Sequence, residues 1–262
     1  MIQHGFIFDG NDSTKLGMTF YRAPELSPPQ PRLTKISVPG KSGDYTQWAG
    51  DYDNRTLTLY CNLIAPSYAN AMAAVNRVLL VNPGYHKLEL STDNDHYLLA
   101  QLQEGGEQTP ISREIGQFTL KFDCQPQRWL KEGTLNINVQ GEYQVYPASD
   151  LYPGNDTYPY SYTAHIDNPG FDSMPEFTLY GTGDAGYIEV NGQRIAISRV
   201  PATGIVIDCQ IKDVYAPDGQ ENLNYLVTIP DDEWPTLPFG QNEIVWSENL
   251  VKLTIKPRWY DL

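Results

Sequence analysis

Three short runs of residues have the composition of a chemical site, and the first of them is rich in glycine. Gly181–Gly186 matches the G-x-G-x-x-G fingerprint of dinucleotide-binding proteins. That motif works where a strand passes into a helix, because the helix N-terminus holds the pyrophosphate. Here Tyr187–Val190 follows with the pattern of another strand. We therefore predict a glycine-rich β-turn at this position instead of a nucleotide site.

The second run is a cluster of carboxylates. Asp231, Asp232 and Glu233 are adjacent and could supply the acid and the base of a glycosidase, which uses two carboxyl groups. Pro230 and Pro235 bracket the cluster, and nothing in the pattern marks one carboxylate as buried. A solvated loop is favoured, and an endolysin-like glycosidase stays open as an alternative.

The third run, Asp9, Asn11 and Ser13, alternates like the start of a calcium loop. The glutamate required at loop position twelve is replaced by Phe20, which favours a hairpin turn. The four histidines lack metal-ligand spacing, and the three cysteines are far apart and odd in number, which argues against a zinc site and a disulfide framework. We therefore predict no catalytic, metal-binding, cofactor-binding or nucleic-acid-binding residue, and a protein that is not an enzyme.

Charge is distributed unevenly along the 262 residues, whose net charge is −14. Residues 1–133 contain 12 basic and 14 acidic side chains, a net of −2, whereas residues 134–262 contain 6 and 18, a net of −12. The acidic half would repel nucleic acid and anionic membrane surfaces. The N-terminus lacks a basic region followed by a long apolar run, so we expect neither a signal peptide nor a membrane span, and synthesis in a reducing cytoplasm.

The elements that would position these residues are mostly strands. Thr56–Leu63 and Gln117–Cys124 alternate apolar and polar residues, so each strand has one buried face and the two need a shared apolar layer. Asn191-Gly192 is a strong signal for a two-residue hairpin. Further strands are predicted at Lys87–Leu90, Tyr97–Leu102, Ile205–Asp208, Tyr225–Ile229, Glu243–Trp246 and Val251–Ile255.

One segment has helical spacing. Tyr68, Met72, Val75 and Leu79 form a stripe, with Ser67 as the N-cap, which predicts an amphipathic helix over residues 67–81. The change in charge and composition predicts two domains, residues 1–133 and 134–262, with residues 134–165 partly a linker. The expected fold is mainly β, with two β-sandwich domains and the helix in the first.

Several short motifs follow one another along nearly the whole chain. Together they resemble the siphophage distal tail protein (Dit) family, with Lys41-Ser42 standing where that family usually has Arg-Asp. The motifs are Phe6–Gly10, Leu16–Met18, Val38–Tyr45, Asp51–Leu59 with its Tyr52 and Arg55, Phe122–Pro126, Asn168–Pro175, Gly181–Gly192, Leu237–Asn242 and Pro257–Leu262.

The resemblance implies a structural virion protein at the tail tip, made in the cytoplasm of the host bacterium. Members form a ring, usually hexameric, through an N-terminal sandwich with one helix and a hairpin, and carry a galectin-like C-terminal sandwich that faces outward. The ring joins the tail tube protein to a baseplate or spike protein, offers a place for receptor-binding proteins, and leaves a channel for DNA without reading its sequence or entering a membrane. The residues that this implies for assembly are Lys41, Asp44, Tyr45, Trp48 and Arg55.

A carbohydrate-binding adhesion module of the tail tip is the other alternative. The chain contains 18 tyrosines and 5 tryptophans, and aromatic rings with a polar edge suit such surfaces.

Overall fold

A computed structural model of the protein describes residues 4–80, 83–105, 109–145 and 160–262. The chain forms two compact units that divide between Trp129 and Leu130, whereas we placed the boundary after residue 133. Unit 1 precedes this boundary and unit 2 follows it.

Unit 1 contains eleven of the strands that the described residues form, together with one helix. Their bounds are β1 Phe6–Phe8, β2 Asn11–Asp12, β3 Met18–Phe20, β4 Glu25–Leu26, β5 Gln30–Ser37, β6 Asp44–Asp53, β7 Arg55–Ile64, α1 Tyr68–Leu80, β8 His86–Leu90, β9 Asp93–Gly105, β10 Thr109–Pro110 and β11 Ile115–Leu130.

The main sheet of unit 1 curls until its two ends meet. Its strand order is β2-β1-β8-β9-β11-β7-β3. Phe6 of β1 stacks on Phe20 of β3, with ring centroids 6.1 Å apart, and contacts Phe122 of β11 edge-on at 6.2 Å. These contacts join strands that are distant in the sheet order. The apolar faces of the strands therefore enclose one core, as the predicted mainly-β sandwich requires.

The alternation of apolar and polar residues correctly predicted the central strands. Leu57, Leu59, Cys61 and Leu63 of β7 are all buried, and β7 pairs with β11 in an antiparallel register over ten residues. Because side chains alternate between the faces of a strand, one face of β7 is entirely core.

Helix α1 covers this core with the predicted stripe. Met72, Val75 and Leu79 are buried in it, and Tyr68 lies flat against Gly116, where an added Cβ would be 2.0 Å from the Tyr68 ring. Within the described residues the helix runs from Tyr68 to Leu80, inside the predicted range 67–81, and packs as expected.

Unit 2 is built from two sheets around a second core. Their strands are β12 Ile137–Val139, β13 Glu142–Val145, β14 Tyr160–Asn168, β15 Glu176–Gly181, β16 Gly186–Val190, β17 Gln193–Ile197, β18 Ile205–Asp208, β19 Asp213–Tyr215, β20 Val227–Thr228, β21 Gly240–Ser247 and β22 Leu250–Lys256. The short strand β23, Tyr260–Asp261, belongs to neither of these two sheets.

One sheet of unit 2 has the order β12-β22-β15-β18-β19 and the other β13-β14-β21-β16-β17-β20. Phe177 and Ile207 from the first sheet and Ile188 and Trp246 from the second belong to one buried cluster, so the two sheets form a sandwich. The turn between β16 and β17 is the predicted one: Asn191 and Gly192 have φ of 50° and 85°, as a type I′ turn needs.

Two predicted strands differ from the structure. Of the strand predicted at Tyr225–Ile229, only Val227 and Thr228 form a strand, β20, and they follow a 3-10 turn at Asn224–Leu226. The strand predicted at Tyr97–Leu102 is longer at both ends, since β9 runs from Asp93 to Gly105. Parts of the predicted linker 134–165 are strands β12, β13 and the start of β14, whereas residues 146–159 lie outside the described residues.

Candidate assembly surface

A two-stranded ribbon extends from unit 1 and is the surface on which four of the five predicted assembly residues lie. Strands β5 and β6 pair only with each other among the described strands. Every residue of β5 is exposed, as are the first seven of β6. An isolated two-stranded ribbon is marginally stable in water, so the ribbon receives little support from the rest of the described chain.

Apolar side chains project from both faces of the ribbon. Leu33 pairs with Trp48 and Ile36 pairs with Tyr45 in the antiparallel register. Paired residues share a face and successive residues alternate, so the two pairs lie on opposite faces. The four side chains are 45–53% exposed. A ribbon with apolar side chains on both faces can contact a partner on each side.

The base of the ribbon is held by ionic and ring contacts. Arg32 donates to Asp53 and Asp51 at 2.9 Å each, and the hydrogen bond to Asp53 is the main reason that the pKa of Arg32 is raised. Trp48 donates from Nε1 to the Asp51 carbonyl at 2.9 Å and meets the Tyr52 ring edge-on at 5.6 Å. These contacts hold the Trp48 ring in a defined orientation.

The tip of the ribbon carries a cation. Lys41 Nζ lies 3.4 Å from the centre of the Tyr45 ring, a favourable cation–π position. Gly40 and Gly43 have φ of 82° and 84°, which lets the chain reverse here. Asp44 then begins β6 opposite Ser37. The structure therefore brings Lys41, Asp44 and Tyr45 together at one end of the ribbon.

Arg55 lies elsewhere. It is the first residue of β7, opposite Cys124, and only 5% of it is exposed. Burial lowers the pKa of its guanidinium group, and its Nε and Nη2 atoms have no hydrogen-bond partner within the described structure. Arg55 is therefore a buried residue beyond the base of the ribbon and is not part of its exposed surface.

Sequence reasoning missed Leu33 and Ile36, which are exposed to nearly the same fraction as the predicted Tyr45 and Trp48. The signal that could have found them was present. Gln30–Ser37 and Asp44–Asp53 are two strand-like runs separated by a turn that contains two glycines. The apolar residues are so sparse in these runs that neither strand has a continuous buried face, and alternation alone did not reveal them.

The three segments that have the composition of a chemical site lie in turns and an exposed loop. Gly181–Gly186 joins strands β15 and β16, as predicted, and Asp9 and Gly10 form the turn between β1 and β2 with φ of 47° and 76°. Asp231, Asp232 and Glu233 are all exposed, and Asp232 accepts a hydrogen bond from Trp234 Nε1 at 3.0 Å. The carboxylates therefore have a solvated setting without the apolar enclosure of a general acid.

The tryptophans of unit 2 are largely used in packing. Trp246 and Trp259 are buried, and Trp234 packs against the core. In the described part of the chain, no group of three or more His, Cys, Asp and Glu side chains could hold a metal ion. No helix of that same part is long and apolar enough to cross a membrane.

No protein-family model and no curated protein sequence matches the chain. A solved structure does: the Dit protein (gp 19.1) of phage SPP1, described as a paradigm of the hub adsorption apparatus in phages that infect Gram-positive bacteria. The two structures superpose with a TM-score of 0.65 over 96% of this chain and 97% of SPP1 Dit, at 11% sequence identity. This chain has the fold of SPP1 Dit. The likeness inferred from short motifs is thus confirmed for the fold along almost the whole chain.

Proposed function

We propose that this protein is a structural hub of a phage tail tip. In this proposal its copies form a closed ring, of six as the family resemblance implies, which joins the tail tube to the baseplate or spike protein and leaves a channel for DNA. The observation that carries the proposal is the β5–β6 ribbon, whose exposed apolar side chains on both faces suit contacts between neighbours in a ring. The fold shared with SPP1 Dit supports it.

Two substitutions test the ribbon, one on each face. Leu33→Asp and Ile36→Asp place a charge where the proposal puts a dry contact, and both side chains are about half exposed in the isolated chain. Neither should harm the fold of the monomer, but a buried unpaired charge weakens an interface strongly. Val251→Asp is the matched control, because Val251 is an exposed strand residue of unit 2.

The measurement is light scattering at micromolar concentration, alone and with the purified tail tube and baseplate proteins. We expect the native chain and Val251→Asp to form the ring under at least one condition, and the two ribbon variants to remain smaller. Circular dichroism would check that each variant is folded. A native chain that is monomeric under every condition, or ribbon variants that assemble normally, would contradict the proposal.

A further inference from the structure

A second exposed apolar surface lies on two neighbouring loops of unit 2. Phe171 and Met174 precede β15 and are 48% and 45% exposed, and Phe239 precedes β21 and is 74% exposed. Ser173 and Leu237 connect the two loops with reciprocal backbone hydrogen bonds of 3.0 and 2.9 Å. We call Phe171, Met174 and Phe239, with the exposed Asp172, the loop surface.

Two buried asparagines hold these loops in place. Asn168 is 1% exposed and donates from Nδ2 to the carbonyls of Phe171 and Leu237 at 2.8 and 2.7 Å. Asn242 is fully buried and donates to the carbonyls of Pro238 and Gly240 at 2.9 and 2.8 Å. Each satisfied buried amide fixes the backbone that carries an exposed aromatic residue.

The fixed position of these loops distinguishes the loop surface from scattered exposed side chains. A scattered apolar residue on a surface needs no explanation, but three large ones on loops fixed from below form a preorganised contact. Aromatic and methionine side chains are enriched at protein interfaces, and a rigid anchor loses little conformational entropy when a partner binds.

The charge around the loop surface selects the chemistry of the partner. The Asp172 carboxylate accepts from the Phe239 backbone N–H at 3.4 Å and so lies beside Phe239. Arg258, which donates to the Met174 carbonyl at 3.5 Å, is already paired with Asp208 and Glu176 at 2.6–2.7 Å. A second copy of unit 2 is disfavoured as the partner, because residues 134–262 have a net charge of −12 and two copies would repel each other.

We propose that the loop surface docks a segment of a different tail protein that carries arginine or lysine beside apolar residues. The cation would pair with Asp172 and lie over the Phe171 or Phe239 ring, where cation–π attraction adds to the ion pair. This inference rests on the proposed role in a phage tail and adds a second contact, separate from the ribbon.

Met174 provides a direct test in the native assembly. The other methionines that the structure describes, Met18 and Met72, are 1% and 6% exposed, so peroxide should oxidise Met174 first in the isolated protein. In purified tails we expect the conversion of Met174 to its sulfoxide to slow by about an order of magnitude, because exposure controls this reaction. Met18 and Met72 serve as internal controls.

The chemistry of the partner is tested by two variants assembled into tails. Asp172→Lys should restore fast oxidation of Met174, whereas Asp218→Lys, on an exposed loop elsewhere in unit 2, should not. A benzoyl-phenylalanine placed at position 239 should crosslink to a basic segment of another protein, which peptide mass spectrometry identifies.

Each outcome has a definite meaning. Fast oxidation of Met174 in tails that contain the chain would overturn the docking surface and leave the proposed function intact. Tails without the chain would overturn both. Protection that survives Asp172→Lys, or a crosslink to a second copy, to an acidic segment or to a polysaccharide, would overturn the cationic partner.

Discussion

The ionic network that holds the C-terminal segment of unit 2 allows a quantitative test of the fold. Arg258 binds both carboxylate oxygens of Asp208, at 2.6 and 2.7 Å, and one oxygen of Glu176 at 2.7 Å. Lys256 contacts the same Glu176 at 3.2 Å. Only 4% of the Asp208 side chain and 16% of the Arg258 side chain are exposed. The substitution Arg258→Ala removes the cation and leaves a buried carboxylate without its partner.

The magnitude follows from that unpaired charge. Adding the three charge-assisted hydrogen bonds would overstate the loss, because the intact pair also bears a desolvation cost. Breaking a buried pair by removing one member costs about 3–5 kcal/mol in the free energy of unfolding. Arg194→Ala is the control: Arg194 pairs with Glu189 at 3.0 Å and its side chain is 57% exposed, so the loss should stay within about 1 kcal/mol.

The assay must separate the two units. Hydrogen exchange at increasing urea, read by mass spectrometry, reports the opening of β15 and β18 in unit 2 and of β7 in unit 1 within one sample. We expect Arg258→Ala to lower the protection of β15 and β18 and to leave β7 unchanged. Equal losses for Arg258→Ala and Arg194→Ala would refute the reasoning that burial makes this pair important.

The pH dependence of the stability loss in Arg258→Ala has a definite direction. Burial raises the pKa of Asp208, but hydrogen bonds and charge from Arg258, with backbone N–H donors, outweigh it and hold this pKa below the ordinary 3.8. A lowered carboxylate pKa stabilises the fold above pH 3.8, and this contribution is lost as pH falls through the folded-state value. The deficit of Arg258→Ala should therefore be largest near neutral pH and shrink in acid.

Three further outcomes are expected. The three cysteines are buried, and burial raises the pKa of each thiol to about 12; a thiol-reactive chromogen at pH 8 should label none in the native chain and all three in denaturant. Gly116→Ala should destabilise unit 1, since the new Cβ would meet the Tyr68 ring; thermal unfolding would show this, with Gly10→Ala, which has open space but a φ of 76°, as a milder control. Association of the chain with the basic partner proposed above should slow as salt rises, because steering by the net charge of unit 2 is screened; an association rate indifferent to salt would count against that steering.

Much of the fold was predictable because its strands have one buried face. The alternation in Thr56–Leu63 and Gln117–Cys124 became the paired strands β7 and β11, and the stripe from Tyr68 to Leu79 became α1. In both patterns the apolar positions are the ones that the fold buries. The prediction of a strand over all of Tyr225–Ile229 was wrong in part. Its residues are exposed or only partly buried, so the apolar residues in this segment do not indicate a continuous paired strand.

The candidate site was harder to predict because its exposed residues do not pack in a hydrophobic core. Trp48, Tyr45 and Lys41 were found only through the likeness of short motifs to a known family. Arg55 belongs to the same motif and is buried, since a motif marks residues that matter for a fold as well as for contacts. Phe171 and Phe239 carried no signal of their own, and the asparagines that fix their loops are recognisable only when tertiary hydrogen bonds are known.

The separation of the ribbon from either core has an evolutionary consequence. No side chain between Gln30 and Gly50 belongs to a buried cluster, so the fold tolerates almost any soluble hairpin there. In the proposed ring, selection on these residues would come from the neighbour that they contact. The ribbon could then diverge in step with a changing partner while the sheet behind it stays constant, and it is the segment to exchange when the proposed assembly specificity is to be altered.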